Sequence, residues 1–319
     1  MKLVAGIDIG GTKTKIGLVN QNGDCLVRTY FRTKRFPVLD NYLDQIVATV
    51  RQLQDELDTP HTLIGCGIGA PNASSRTGTI ENASNLYWKG SVPILTKLQE
   101  KVDLPLRIMN DANAAALGEM LFGNAKKMRD FIVLTLGTGL GAGIVANGQI
   151  IEGFTGFAGE LGHIDMTVGD GRLTGQGVRG GLEAYVSATG LKRTIMSMQS
   201  KYLDDSRFRN IAFNDLHGEE IAQAAREGDP LATRAFDLTA KVLGLALANF
   251  TTFTQPEAFI LMGGLTNSED LLLKPLEKYF NENLLSMYKG NVKILTSGMK
   301  GKTAAICGAA ALIWEQESW

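Results

Sequence analysis

Apolar runs alternate along this chain with glycine-rich turns and amphipathic stretches. Lys2–Ile9 reads as a buried strand running into Asp8-Ile9-Gly10-Gly11-Thr12-Lys13. Lys15–Val19 continues as a second strand, and Asn22-Gly23 is a strong hairpin signal. Over Tyr42–Leu57, the residues Leu43, Ile46, Val47, Val50, Leu53 and Leu57 recur at three- and four-residue steps, which predicts a helix with one apolar face. Leu63–Ala70 is a strand stopped by Pro71. Leu106–Met109 is another, leading into Asn110-Asp111-Ala112-Asn113 and an alanine-rich helix.

The opening pattern then returns. Phe131–Leu136 is a strand, Gly137–Gly143 a glycine turn, Ile144–Ala146 a strand, and Asn147-Gly148 a hairpin turn. The unit at 2–19 thus recurs at 131–146, in architecture though not in detailed sequence. Glu219–Arg226 is helical, Gly228 suits its stop, and Asp229-Pro230 suits the cap and first turn of a long helix over Leu231–Phe250. Glu257–Leu261 is a buried strand running into Gly263-Gly264, and Thr303–Gln316 is a final helix. No low-complexity linker separates the halves, and the boundary falls near Ala114–Gly123, inside a helix.

Composition changes this picture at three points. The 37 glycines among 319 residues are about 12%, against a typical ~7%, and they cluster at the turns just described. Such clusters mark tight turns or places where backbone approaches a ligand closely. A formal net charge of −1 argues against a general nucleic-acid binder and a polybasic membrane binder. The three cysteines, Cys25, Cys66 and Cys307, are far apart and form neither a disulfide framework nor a C-x-x-C site. With no signal-peptide pattern at Met1–Gly6 and no apolar run of the ~18 residues that span a bilayer, a cytoplasmic protein is expected.

Five segments carry candidate chemistry. In Asp8–Lys13, an acid at a strand end can hold a hydrated Mg²⁺, Gly10 and Gly11 let backbone N–H groups face a phosphate, and Thr12 and Lys13 add a hydroxyl and a cation. A glycine-rich hairpin with no ligand is the plain alternative. In Leu136–Gly143, Gly137, Thr138 and Gly139 again offer a phosphate cradle; a strand follows rather than a helix, so a dinucleotide fingerprint is rejected. Asn110-Asp111 can orient a hydroxyl and take its proton, or Asp111 can cap the following helix, and the two roles can coexist. Glu160, His163 and Glu183 form a polar group around glycine turns that could bind sugar hydroxyls, although a single histidine more often serves structure. Met262-Gly263-Gly264 allows a flat ring to approach the backbone, or simply turns the chain.

In order and together, these segments resemble the ROK family of the actin/hexokinase ATPase superfamily. Gly69-Ala70-Pro71, Asn85-Leu86 with Trp88, Gly180-Gly181-Leu182-Glu183 and Glu227-Gly228-Asp229-Pro230 extend the resemblance over nearly the whole chain. It implies an α/β, two-domain actin-like ATPase (ribonuclease H-like) fold with a cleft between domains. The domains would be 1–115, joined by the helix at 303–319, and 116–302. It implies ATP and Mg²⁺ between the two glycine loops, Gly263 and Gly264 near the adenosine, and Asp111 as catalytic base. Gly69, Asn85, Asn110, Glu160, His163 and Glu183 would hold the sugar. A homodimer is implied as well.

The implied activity is transfer of the ATP γ-phosphate to a hexose 6-hydroxyl, with glucose first. N-acetylglucosamine, N-acetylmannosamine and fructose remain open, because the space around C2 decides among them. The family also holds sugar-responsive repressors with an added helix-turn-helix region, which nothing here matches, since the first strand starts at Lys2.

The chain departs from the family at one place. Most members bind zinc through the histidine of this segment and three cysteines. Aligned on Leu182-Glu183, those cysteine positions are Thr174, Gln176 and Gly181. No structural zinc is expected, and Asp165–Gly181 must be held by packing and hydrogen bonds.

Overall fold

The structure is a computed structural model that describes residues 1–299 and 301–317; Ser318 and Trp319, in the expected 303–319 segment, lie outside the described residues. The chain divides into two compact units. One comprises Met1–Arg129, Gly143–Gly159 and Ser297–Trp319, the other Asp130–Ala142 and Glu160–Thr296.

The first unit opens with strands β1 (Lys2–Ile9), β2 (Lys13–Val19) and β3 (Cys25–Arg32), then helix α1 (Leu39–Asp55) and β4 (Thr62–Ala70). Three short strands follow, β5 (Ala73–Ser74), β6 (Thr79–Glu81) and β7 (Ser91–Val92), then α2 (Ile94–Gln99), β8 (Leu106–Asn110) and α3 (Asp111–Leu121). The main sheet has the order β3-β2-β1-β4-β8. Strands β1 and β4 pair in parallel, with Asp8 opposite Gly69, and β4 and β8 likewise, with Ala70 opposite Asn110. Parallel strands covered on both faces become near-continuous apolar runs, and six of the eight residues of β1 are fully buried.

What covers this sheet explains the small residues at the end of the chain. Helix α8 (Ala304–Glu317) lays its backbone directly on β1 and β4. A Cβ on Gly6 would stand 2.0 Å from the Ile306 carbonyl oxygen, and one on Gly67 would stand 1.8 Å from that of Ala309. On α8's flank, a Cβ on Gly308 would stand 2.8 Å from the Ala114 carbonyl oxygen of α3. The buried Glu119 of α3 accepts bonds from the backbone N–H groups of Asn124 (2.8 Å) and Gly298 (3.2 Å) and from the Ser297 hydroxyl. This ties the far end of α3 to the chain that enters α8.

The remaining strands are β9 (Phe131–Leu136), β10 (Leu140–Ala146), β11 (Gln149–Ile150), β12 (Ala258–Met262) and β13 (Lys293–Thr296), in the sheet order β11-β10-β9-β12-β13. The strand order of the first sheet thus occurs twice, with β10 passing from the second unit to the first after Ala142. The other helices are α4 (Ala188–Lys201), α5 (Gly218–Arg226), α6 (Pro230–Thr254) and α7 (Glu269–Asn283). Asp229 caps α6 as its sequence indicates, accepting from Leu231 N (3.0 Å) and Ala232 N (3.1 Å), and Gly228 has φ +87°. The helix runs past Phe250 to Thr254 and ends at Gln255 (φ +44°), the residue before Pro256, where a right-handed helical conformation is disfavoured.

Among the described residues, no helix is long and apolar enough to cross a membrane. Burial pushes the thiols of Cys25 and Cys66 up to about 11 and about 12, and raises that of Cys307 as well. A disulfide-exchange reagent at pH 7 is therefore expected to titrate no thiol in the folded protein and three after denaturation. Rapid labelling of the native protein would contradict this burial.

Candidate functional site

In the first unit, Asp8, Gly69 and Asn110-Asp111 stand at the carboxyl ends of three adjacent parallel strands. Ligands of open α/β sheets bind at such ends. The β1–β2 turn is closed by Gly10 N donating to the Lys13 carbonyl (3.1 Å). Gly11 has no room for a side chain, because a Cβ would stand 2.7 Å from the Asn85 carbonyl oxygen. The glycine therefore brings the 82–90 loop, with exposed Asn85, against the turn.

Behind the turn lies a buried hydroxyl chain that sequence reasoning does not anticipate. The Tyr42 and Thr14 hydroxyls meet at 2.7 Å, those of Thr14 and Thr33 at 2.9 Å, and Thr33 donates to the Gly10 carbonyl at 2.7 Å. Isolated threonines, one on β2 and one just past the end of β3, carry no motif, which is why the pattern hides them.

The cations of β2 are sorted by register. Lys13 places its ammonium 3.9 Å above the Tyr30 ring, while Lys15 pairs with the Asp8 carboxylate at 2.8 Å. The motif points to Lys13; the signal for Lys15 is that a tight hairpin sets it opposite Asp8. Thr12 is exposed, and its carbonyl accepts from Thr33 N at 3.1 Å. A half-buried carboxylate beside two glycines fits a hydrated Mg²⁺, which takes one or two carboxylates and shares the substrate's phosphates.

The cap of α3 falls one residue earlier than the aspartate. The Asn110 Oδ1 accepts from Ala112 N (2.9 Å) and Asn113 N (3.4 Å), so Asn110 is the cap. Asp111 becomes the first helical residue, exposed, with its Oδ1 2.9 Å from Ala112 N. There the partial positive charge of the helix end steadies an anion. Gly69 lies beside it: a Cβ there would be 3.8 Å from the Asp111 Cα. Within this unit the structure thus gathers Gly69, Asn110 and Asp111, and separately Asn85 and the Asp8–Lys13 turn.

In the second unit the glycine loop after β9 is a hub. Ala188 N donates to the Gly137 carbonyl (2.9 Å), and Gly137 N to that of Gly139 (3.0 Å). Thr138 is exposed on the same loop. A Cβ on Gly139 would stand 2.2 Å from the Glu183 Oε2, and one on Gly162 would stand 2.4 Å from the Leu140 carbonyl oxygen. Those two absences let Glu183 and the turn Leu161–His163 reach the loop. Glu183 accepts from Leu140 N (3.1 Å) and Gly175 N (3.4 Å). The His163 Nε2 is 3.7 Å from a Glu160 carboxylate oxygen. Its Nδ1 is buried without a hydrogen-bond partner among the described residues.

Gly263 has φ +107° and packs on β9, where a Cβ would stand 2.5 Å from the Leu136 carbonyl oxygen. Gly264 lies open on the wall of a cavity of about 720 Å³, shared with Ala188, Leu191, His217, Phe236 and Asn267. That volume suits a nucleoside. His217 and Asn267 belong to no recognisable motif, and their place here follows only from the fold.

The residues at the expected zinc positions do not fit that metal. Thr174 is buried, its hydroxyl accepts from Val178 N (3.1 Å), and its methyl would lie 2.5 Å from a Cβ on Gly181. A hydroxyl, the Gln176 amide and a bare glycine supply no thiolate beside His163. Among the described residues, no group of three or more His, Cys, Asp or Glu side chains is placed to hold a metal. Elemental analysis of untagged protein is expected to find less than about 0.1 zinc per chain; one zinc per chain contradicts this reading.

Residues 4–316 match the ROK family. The glucokinase of Streptomyces coelicolor is 34% identical over 323 residues, which cover 99% of this chain and 99% of that protein. The xylose repressor of Caldicellulosiruptor bescii is 31% identical over 97% of this chain and 77% of its own length. Among solved structures, a ROK family glucokinase from Streptomyces griseus in complex with glucose and AMPPNP matches with a TM-score of 0.81. It is 33% identical and covers 97% of this chain and 98% of that one.

Proposed function

This chain belongs to the ROK family, and from that premise we propose that it is an ATP-dependent glucokinase, carrying the γ-phosphate of ATP to the 6-hydroxyl of glucose. The observation that carries the reading is the placement of Asp111: first residue of α3, at the carboxyl end of β8, with the capping duty taken by Asn110. It can thereby meet a hydroxyl as a base.

Phosphoryl transfer has a loose transition state, so catalysis rests on alignment and on neutralising charge. Backbone N–H groups of Gly11, Thr12, Thr138 and Gly139 meet the phosphates, while those of Gly10 and Gly137 close the two loops that present them. Asp8 would hold Mg²⁺, which would supply the remaining neutralisation of charge on the phosphates. Gly263 and Gly264 take the adenosine against the cavity beside α5. Asn85, Asn110, Glu160, His163 and Glu183 hold sugar hydroxyls, and Gly69 packs its backbone on the sugar. Asp111 orients the 6-hydroxyl and accepts its proton as the phosphate leaves ATP. The protein acts in the cytoplasm as a homodimer.

A panel of glucose, N-acetylglucosamine, N-acetylmannosamine, mannose and fructose, with coupled detection of ADP, tests the reading. Glucose should give the highest kcat/KM. An N-acetylated sugar in first place would reassign the substrate. The repressor resemblance supports a second reading, sugar-responsive DNA binding. Sugar-dependent gel shift in the absence of ATP turnover would favour that one.

A further inference from the structure

The segment from Asp165 to Gly181 is knit together by bonds that sequence reading could only call for in general terms. The Asp165 Oδ1 accepts from Thr167 N (2.7 Å) and the Thr167 hydroxyl (3.0 Å), and its Oδ2 accepts from Gly169 N (2.5 Å). These bonds, that from Thr167 N foremost, hold its carboxyl below the usual range. Gly180, with φ +71°, lies so close that a Cβ would be 2.0 Å from the Asp165 Oδ1. Met166 N donates to the Gly180 carbonyl (2.9 Å) and Leu182 N to that of Ile164 (3.0 Å). Between these ties, residues 172–180 fold back on themselves: Gly180 N donates to the Arg172 carbonyl (3.0 Å) and Thr174 N to that of Val178 (2.8 Å).

Arg172 roots this small hairpin. Its Nη1 donates to the Thr194 hydroxyl (2.8 Å) and to the carbonyls of Ala184 and Gly190 (3.4 Å each). Its guanidinium lies 4.7 Å from the centre of the Tyr185 ring, and its backbone N donates to the Tyr185 hydroxyl at 3.2 Å. Among the described residues it forms no ion pair, and burial lowers its pKa. Burying a charge on neutral acceptors is costly compared with an apolar side chain of similar size. A guanidinium nitrogen that reaches one hydroxyl and two carbonyls at once fixes a geometry that such a side chain cannot.

The geometry held in this way is that of Glu183. Arg172 grips the carbonyl of Ala184, the next residue along, in the turn Leu182–Ala184. The hairpin it roots presents Gly175 N to the Glu183 Oε1, while Leu140 N holds the Oε2. We infer that Arg172 is a positioning residue for Glu183, doing through hydrogen bonds what thiolates and a metal would do for this segment. This rests on the reading that Glu183 holds the sugar.

A double-mutant cycle on the full-length protein, with glucose and ATP as substrates, tests it. Arg172→Met should raise KM for glucose about tenfold, leaving KM for ATP within about twofold and kcat within about threefold. Arg172→Lys should fall between wild type and Arg172→Met, and it carries the same comparison if the methionine variant does not fold. Glu183→Gln should itself raise KM for glucose, and adding Arg172→Met to it should raise KM by less than about twofold more. A full further tenfold rise in the Glu183→Gln background, or equal rises in KM for both substrates, would overturn the inference. A raised KM in Glu183→Gln with wild-type KM in the Arg172 variants overturns it alone. A wild-type KM in Glu183→Gln overturns the sugar-holding reading of Glu183 and the inference with it.

Discussion

Asp111→Asn is expected to lower kcat about a thousandfold while KM for glucose changes by less than about threefold. The amide keeps the shape of the carboxyl and leaves the helix intact, because the cap is supplied by Asn110, whose Oδ1 already serves Ala112 N and Asn113 N. The substitution therefore removes little more than a proton acceptor at the first position of α3. A glucose hydroxyl then has nowhere to send its proton as the new P–O bond forms. Binding through the other polar residues survives. Steady-state kinetics and glucose titration on the same preparation separate the two effects. A variant that keeps more than a tenth of wild-type turnover would remove Asp111 from its role.

Gly67→Ala is the second large effect, and it acts on stability. The added methyl would stand 1.8 Å from the Ala309 carbonyl oxygen and 2.8 Å from its carbonyl carbon. Both are main-chain atoms of α8, so no rotamer change relieves the clash. The helix must move off the sheet, opening the contact between α8 and β4 and disturbing the one between α8 and β1. Overpacking of a dense interior costs about 1–3 kcal/mol, and here the upper end is expected because backbone meets backbone. A loss of about 3 kcal/mol corresponds to a fall in Tm of roughly 4–5 °C for a chain of 319 residues. Calorimetry checks it; a Tm within about 2 °C of wild type would show that α8 does not lie on β4 as described.

How far the chain could be read in advance depended on whether one pattern dominated locally. Strands β1, β4, β9 and β12 are apolar runs ended by glycine or proline, and α6 carries an Asp-Pro opening with an apolar face, so their positions were legible within a few residues. Helices α4 and α7 were not. Helix α4 contains Gly190, whose backbone packs on Tyr185 with no space for a Cβ, along with threonine and serine of low helix propensity. Helix α7 contains Pro275, which ordinarily stops a helix, while Leu272, Leu276 and Phe280 bury its inner face. In both, tertiary packing overrides local preference.

The candidate site divides in the same way. Glycines are legible because a missing side chain leaves a composition signal, and close approaches at Gly11, Gly139, Gly162 and Gly263 give that signal its physical content. Partners brought together by register or by tertiary contact are not legible. Lys15 replaces Lys13 beside Asp8 through strand pairing, and the Thr14–Thr33–Tyr42 chain joins three separate elements. Arg172 stands in a stretch whose chief feature in the sequence is the cysteines it lacks.

Transfer of phosphate to glucose is tested directly by following glucose 6-phosphate itself. Purified protein with glucose, ATP and Mg²⁺ is coupled to glucose-6-phosphate dehydrogenase, and NADPH is read by absorbance. Steady NADPH formation is expected, requiring both glucose and ATP and nearly lost in Asp111→Asn. No NADPH above the enzyme-free control, or equal formation by Asp111→Asn, would contradict it.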